Sequence, residues 1–139
     1  MKLLFDANLW FELLLQRARY DEVRALLDAV PGRLIGTTDF AIHAFALYVI
    51  KRSPDVFTRF ISDLLAYEIG IVHLPLTSMS RITEVMRDHR LDFDDALQYT
   101  AAERFDLKIV SFDVDFDRTR RGRLTPAQAL AELAGGATP

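Results

Sequence analysis

The chain of 139 residues contains no cysteine. This excludes a disulfide framework, a zinc–thiolate centre and a thiol nucleophile, and it suits a reducing cytoplasm, where we expect the protein to reside. The six glycines are scattered, so there is no glycine-rich phosphate loop. No Gly-x-Ser-x-Gly occurs, and His43, His73 and His89 complete no serine-hydrolase pattern. A basic surplus is missing too. The formal net charge is −3, which removes the whole-chain signature of nucleic-acid binding but leaves a local one open. No apolar run approaches the roughly 20 residues that span a bilayer. The opening MKLLFDANLWFELLL is interrupted by Asp6 and Glu12 and lacks a small-residue cleavage site, so neither a signal peptide nor a membrane anchor is expected.

Half of the residues are apolar, enough to bury a proper core. The length fits a single domain, expected over residues 1–134, with a frayed tail at 135–139. Four short apolar runs read as strands: KLLF at 2–5, RLIG at 33–36, IVHL at 71–74 and KIVSF at 108–112. Helical patterns lie between them. One runs from Asn8 to Gln16, and another over 20–30 with Val23, Leu26, Leu27 and Val30 on one face. Thr37-Thr38-Asp39 and Ser53-Pro54-Asp55 offer N-cap chemistry for helices reaching Lys51 and Gly70. Thr77 or Ser78 opens a helix to His89, a further helix covers 93–105, and Pro126 starts a last short one. Strands alternating with helices predict an α/β fold with a parallel sheet covered on both faces.

Acidic residues fall where such a sheet builds its sites, at the carboxyl ends of strands. Asp6 follows KLLF; Asp113 and Asp115 follow KIVSF; Asp94 and Asp95 open the helix leading into that last strand. Single residues of this kind have ordinary roles as N-caps, turn formers or partners of a helix dipole. The clustering is what stands out. Residues 92–117 hold eight of the 20 acids and two of the 17 bases. Carboxylates crowded at low dielectric need a cation or a proton, and hard oxygen ligands suit Mg²⁺ or Mn²⁺. An ion held so lowers the pKa of a bound water and stabilises charge on a phosphoryl oxygen, which makes phosphodiester hydrolysis the natural chemistry. Arg118, Arg120, Arg121 and Arg123, just beyond the cluster, either hold a phosphate backbone or form a solvated basic loop.

At these residues the sequence resembles the PIN-domain family of small metal-dependent ribonucleases, which includes the VapC-type toxins. LLFDANLWFELLL is similar to the family's first-strand Asp, Asn and apolar helix, and LDFDDALQYTAAERFDLKIVSFDVDFDR to its C-terminal half. The resemblance covers nearly the whole chain. It implies a three-layer α/β/α sandwich with a central, mainly parallel sheet of four or five strands. It also implies Mg²⁺ or Mn²⁺ held by Asp6, Asp95 and Asp113, and RNA cleavage in which Asp115 joins those three as a catalytic residue. A homodimer and a small antitoxin partner are implied as well. One position departs from the pattern: His43, Ala44 and Phe45 occupy the turn of helix where the family usually places a glutamate. Asp39, the nearest carboxylate, and His43 each have a reading as a ligand and a reading as ordinary helix residues. The departure motivates a second reading, a PIN-like module that binds RNA or a protein without turnover. A phosphatase or phospho-acceptor reading is weaker, because Asn8 stands where a second Asp would be needed and Lys108 begins its strand.

Overall fold

The computed structural model describes residues 1–135. Four parallel strands form one sheet in the order β3-β2-β1-β4: β1 Leu3–Phe5, β2 Ile35–Thr38, β3 Gly70–Val72 and β4 Lys108–Val110. Seven α-helices connect and cover them: α1 Ala7–Leu14, α2 Tyr20–Ala29, α3 Asp39–Val49, α4 Pro54–Ala66, α5 Ser80–His89, α6 Phe93–Phe105 and α7 Pro126–Gly135. The expected α/β/α sandwich is present. Leu124 adds a single parallel bridge to Val110. Residues 136–139 of the expected tail lie outside the described region.

Strand alternation sorts the core into two layers. Leu3, Phe5, Ile35 and Val110 face α1 to α4, with Ala129 of α7 joining them. Leu4, Val72 and Ile109 face the other way, against α5 and α6. Because both faces are covered, all three residues of β1 are buried, which explains a continuous apolar run rather than an alternating one.

Most helix boundaries follow the capping chemistry in the sequence. Thr38 caps α3, its hydroxyl accepting from the Ala41 amide at 2.9 Å, and Pro54 occupies the first turn of α4. Other expected boundaries shift. The run at 33–36 splits, with Gly32–Leu34 forming a 3₁₀ turn before β2. A glycine is needed at 32, since a Cβ there would sit 1.6 Å from the Tyr67 carbonyl oxygen. Helix α4 stops at Ala66, four residues before Gly70. Another 3₁₀ turn, Leu76–Ser78, precedes α5. Strand β4 ends at Val110, so Ser111 and Phe112 lie beyond the sheet, and this matters for the site.

Helix α6 differs from the rest. Every residue from Asp95 to Ala102 is buried, including Asp95, Gln98 and Thr100. Its alanines at 96, 101 and 102 allow close packing, and α5 lies against it.

The first core layer is held by an aromatic cluster. Phe60 sits 5.3 Å from Trp10 and 4.9 Å from Phe45, ring centre to ring centre, and Trp10 is 5.3 Å from Phe5. The Trp10 indole N–H donates to the Thr37 hydroxyl at 3.0 Å, so its polar atom is satisfied in the core. Phe60→Ala is expected to cost ~3–5 kcal/mol in urea unfolding. Leu65→Ala, on the same helix but 75% exposed, is expected to stay within ~0.5 kcal/mol.

Candidate active site

In the order β3-β2-β1-β4, successive connections leave β1 to one side and return to its other side at β4. The carboxyl ends of β1 and β4 therefore flank the switch point, where open α/β sheets hold their ligands. Asp6 leaves β1 at this point. Its amide donates to the Val110 carbonyl at 3.0 Å, and its side chain caps α1 by accepting from the Ala7 amide at 2.8 Å. Asp113, three residues past β4, caps a short 3₁₀ turn over Val114–Arg118 by accepting from the Asp115 amide at 2.9 Å. Asp95 arrives from the opposite layer, in the first turn of α6. Its amide is held at 3.0 Å by Asp92, the N-cap. All these carboxylates thus sit at the amino ends of helical turns, where the backbone dipoles favour negative charge.

Ser111 ties the two strand ends together. Its hydroxyl donates to Asp6 Oδ2 at 2.7 Å and accepts from the Asp113 amide at 2.9 Å and from Asn8 Nδ2 at 3.0 Å. Asn8 also reaches Asp6 Oδ2 at 3.3 Å and accepts from the Phe112 amide at 3.4 Å. Ser111 and Asn8 both stand within the quoted motifs, but their part in tying Asp6 to the Asp113 loop shows only once their partners are located.

Of the expected site residues, Asp95, Asp113 and Asp115 come together most tightly. One carboxylate oxygen from each lies within 4.8 Å of the other two. Asp6 falls outside that set but remains electrostatically linked to it. Burial raises the Asp6 pKa to about 6, opposed by the Ser111 and Ala7 hydrogen bonds and reinforced by the negative charges of Asp113 and Asp94. Asp95 is raised further, to about 9, first by desolvation, then by a hydrogen bond with Asp113 and by the charges of Asp6, Asp113 and Asp92. Asp94 is exposed and contributes charge rather than contact.

The departure in α3 is clear in the structure. Asp39 is the first residue of α3 and Thr38 its cap, so Asp39 is not the N-cap that the sequence suggested. One Asp39 oxygen accepts from the Phe40 amide at 2.9 Å, and the other meets His73 Nδ1 at 2.7 Å. His43 is exposed one turn later. Among the described residues, neither joins the tight acidic set.

The arginines beyond the cluster are mostly committed within the chain. Arg118 pairs with Asp115 at 2.9 Å and donates to the Arg90 carbonyl. Arg121 pairs with Asp106 at 2.9 Å. Arg123 forks onto both Asp117 oxygens at 3.1 and 3.2 Å and donates to the Ser111 carbonyl at 3.0 Å. Arg123 thereby braces the loop that carries Asp113 and Asp115.

The donor set fits a hard divalent cation. It is entirely carboxylate oxygen, and burial together with the neighbouring acids disfavours the charged form of Asp95, a condition that a doubly charged ion relieves. A larger cavity of about 700 Å³, lined by Met1, Lys2, Lys108 and Glu132 among others, opens at the opposite ends of the strands and lacks such a cluster.

No curated protein matches the chain by sequence. Solved structures do match in shape. A toxin–antitoxin complex from Klebsiella pneumoniae aligns with a TM-score of 0.74 at 20% identity, covering 90% of this chain and 98% of that one. VapC20 of Mycobacterium tuberculosis, described as a toxin that cleaves the sarcin–ricin loop, aligns at 0.75 and 16% identity over 90% and 100%. VapBC2 of Rickettsia felis, bound to a promoter DNA fragment, aligns at 0.65 and 13% identity over 89% and 97%. The PIN domain model matches residues 3–122, most of the chain and all of the acidic site, and the protein therefore belongs to the PIN domain family.

Proposed function

We propose that this protein is a divalent-metal-dependent ribonuclease that hydrolyses RNA phosphodiesters, and that it is the toxin of a toxin–antitoxin pair. The observation that carries the reading is the convergence of Asp95, Asp113 and Asp115 within 4.8 Å, with Asp6 bound to the same loop through Ser111. Membership of the PIN family and the toxin–antitoxin neighbours support it. Among the described residues no helix is long and apolar enough to cross a membrane. We place the protein in the cytoplasm, as a homodimer restrained by a small antitoxin.

In this reading Asp95, Asp113 and Asp115 hold Mg²⁺ or Mn²⁺, and Asp6 faces the same ion from the β1 end. The ion, when bound, lowers the pKa of a water and neutralises charge on the phosphoryl oxygens. The chain's own residues arrange the rest. Ser111 fixes the rotamer of Asp6 and the start of the Asp113 loop in one contact. Arg123 holds that loop from behind, and the Arg118 partner of Asp115 limits the charge left in the site. Asp95 would have to give up its proton to hold the ion, so affinity for the ion would rise with pH.

One observation favours the second reading, a module that binds without turnover: His43 and Ala44 stand where the family's further acid is usual, and Asp39 is engaged by His73. Cleavage of RNA by the purified protein, measured with and without EDTA, separates the two. We expect metal-dependent cleavage that falls at least about a hundredfold in Asp95→Asn or Asp113→Asn. Ser111→Ala, which removes an orienting contact, is expected to lose about 10- to 100-fold. Unchanged cleavage in the Asp variants overturns the nuclease reading, and binding without metal-dependent turnover establishes the module.

The raised carboxyl pKa values also set a stability trend. Both groups bind protons more tightly folded than unfolded, so the stability they contribute to the metal-free protein is fully present below the unfolded value of 3.8 and is lost as pH rises through about 6 for Asp6 and about 9 for Asp95. In EDTA, the Tm contribution of these two groups is expected to decline from about pH 4 to about pH 9, most steeply below about pH 6, where both contribute. Asp95→Asn should flatten the upper part of that decline, and Mg²⁺ should raise the wild-type Tm but not that of the variant.

A further inference from the structure

A cleft of about 460 Å³ opens beside the acids, over the carboxyl ends of β2 and β3. Thr38, which ends β2, and His73, which directly follows β3, both line it. Because β2 neighbours β1 in the sheet, the cleft and the carboxylates share one edge, about two strand spacings or ~10 Å apart. Helix α6 serves both: Phe93 and Leu97 line the cleft, and Asp95 lies between them. Gln98, on the next turn, ties α6 to β2 through the Thr38 hydroxyl at 3.1 Å.

The chemistry of the cleft is unlike that of the acidic pocket. Its walls are apolar, with Phe40, Phe93, Leu76 and Met79. Phe93 meets Phe40 edge-on at 5.8 Å and 78°, which leaves Phe93 44% exposed in the mouth of the cleft. Its polar side chains are few: Thr38, the Asp39–His73 pair joined at 2.7 Å, and His43. No lysine or arginine lines it among the described residues. Such a surface has nothing to neutralise a phosphate, but it offers a planar, uncharged ring an aromatic face and hydrogen-bonding imidazoles. The volume lies within the ~300–1,000 Å³ of small-ligand sites.

We propose that this cleft is a nucleobase subsite: it takes the base of a single-stranded ribonucleotide, stacked on Phe93, while an adjoining phosphodiester lies over the carboxylates. This deepens the ribonuclease reading and rests on it for the identity of the nucleic acid. Stacking on an aromatic side chain tolerates any base, and only bases splayed out of a duplex reach it. Selectivity for single strands then comes from Phe93 and its neighbours, and the carboxylates supply none.

The test uses a short fluorescein-labelled single-stranded oligoribonucleotide bound to the full-length wild-type protein with Ca²⁺ in place of Mg²⁺, which neutralises the carboxylates with a larger oxygen-ligated ion, and a gel confirms that the strand stays intact. Anisotropy is expected to show about tenfold weaker binding when Phe93→Ala is added, and recovery with Phe93→Tyr, which keeps the ring. An unlabelled abasic oligonucleotide should compete poorly. Phe93 is exposed at the first turn of α6, and circular dichroism with the Tm confirms that each variant is folded. Equal binding by the Phe93→Ala protein, equal competition by the abasic strand, or no binding of the oligoribonucleotide at all overturns the subsite. Cleavage by wild type and Asp95→Asn is measured alongside. If the Asp95 substitution leaves cleavage unchanged while binding depends on Phe93, the catalytic reading fails and the subsite stands. If cleavage depends on Asp95 and binding ignores Phe93, the reverse holds.

Discussion

The burial of carboxylates beside other acids is the constraint around which this structure is arranged. Asp6 and Asp95 are each 7% exposed, and Asp95 is hydrogen-bonded to Asp113. Without a counter-ion such a group can stay buried only by binding protons, and both pKa values rise accordingly. The fold accepts this cost at one place, the end of β1 and β4, and surrounds it with stabilising contacts. Helical amino ends face the acids, Ser111 and Asn8 satisfy Asp6, and Asp92 holds the turn that carries Asp95. Each device improves the fit of a negative pocket to a small cation.

Rigidity at the site has a source in both layers of the core. On one side α1 is locked by Trp10, which packs between Phe5 and Phe60 and bonds to Thr37 at the end of β2. On the other, α6 is buried along eight consecutive residues, so Asp95 has no freedom to retreat toward solvent. The same burial leaves Gln98 with its carbonyl oxygen unpartnered while its amide holds Thr38. An unmet acceptor in the core is destabilising, and it lies one turn from Asp95, between the acids and the apolar cleft.

The sequence made some of this legible and hid the rest for physical reasons. Asp94, Asp95, Asp113 and Asp115 were visible because crowding along a short stretch is a covalent fact, and α6 ran over 93–105 as its pattern indicated. That Asp6 joins them followed from strand ends and from resemblance, not from spacing. The Ser111 contact was hidden because its partner lies 105 positions away and a serine fits most surroundings. The arginines were ambiguous for a related reason. Arg118, Arg121 and Arg123 look like a phosphate-binding run until their acceptors, Asp115, Asp106 and Asp117, are located in space. Asp39 was misplaced as a cap because Thr38 and Asp39 are equally good caps, and only the backbone decides which stands outside the helix.

Strand β4, the last to be synthesised, pairs with β1, the first. The hydroxyl that seats Asp6 belongs to residue 111, and the carboxylates beside it to residues 113 and 115. A nascent chain that has not yet reached β4 has three strands, two of the sheet's three strand pairings and no assembled acidic pocket. The acidic pocket is therefore withheld by topology until the chain has been made past Asp115, and truncation anywhere before Ser111 leaves a sheet without it.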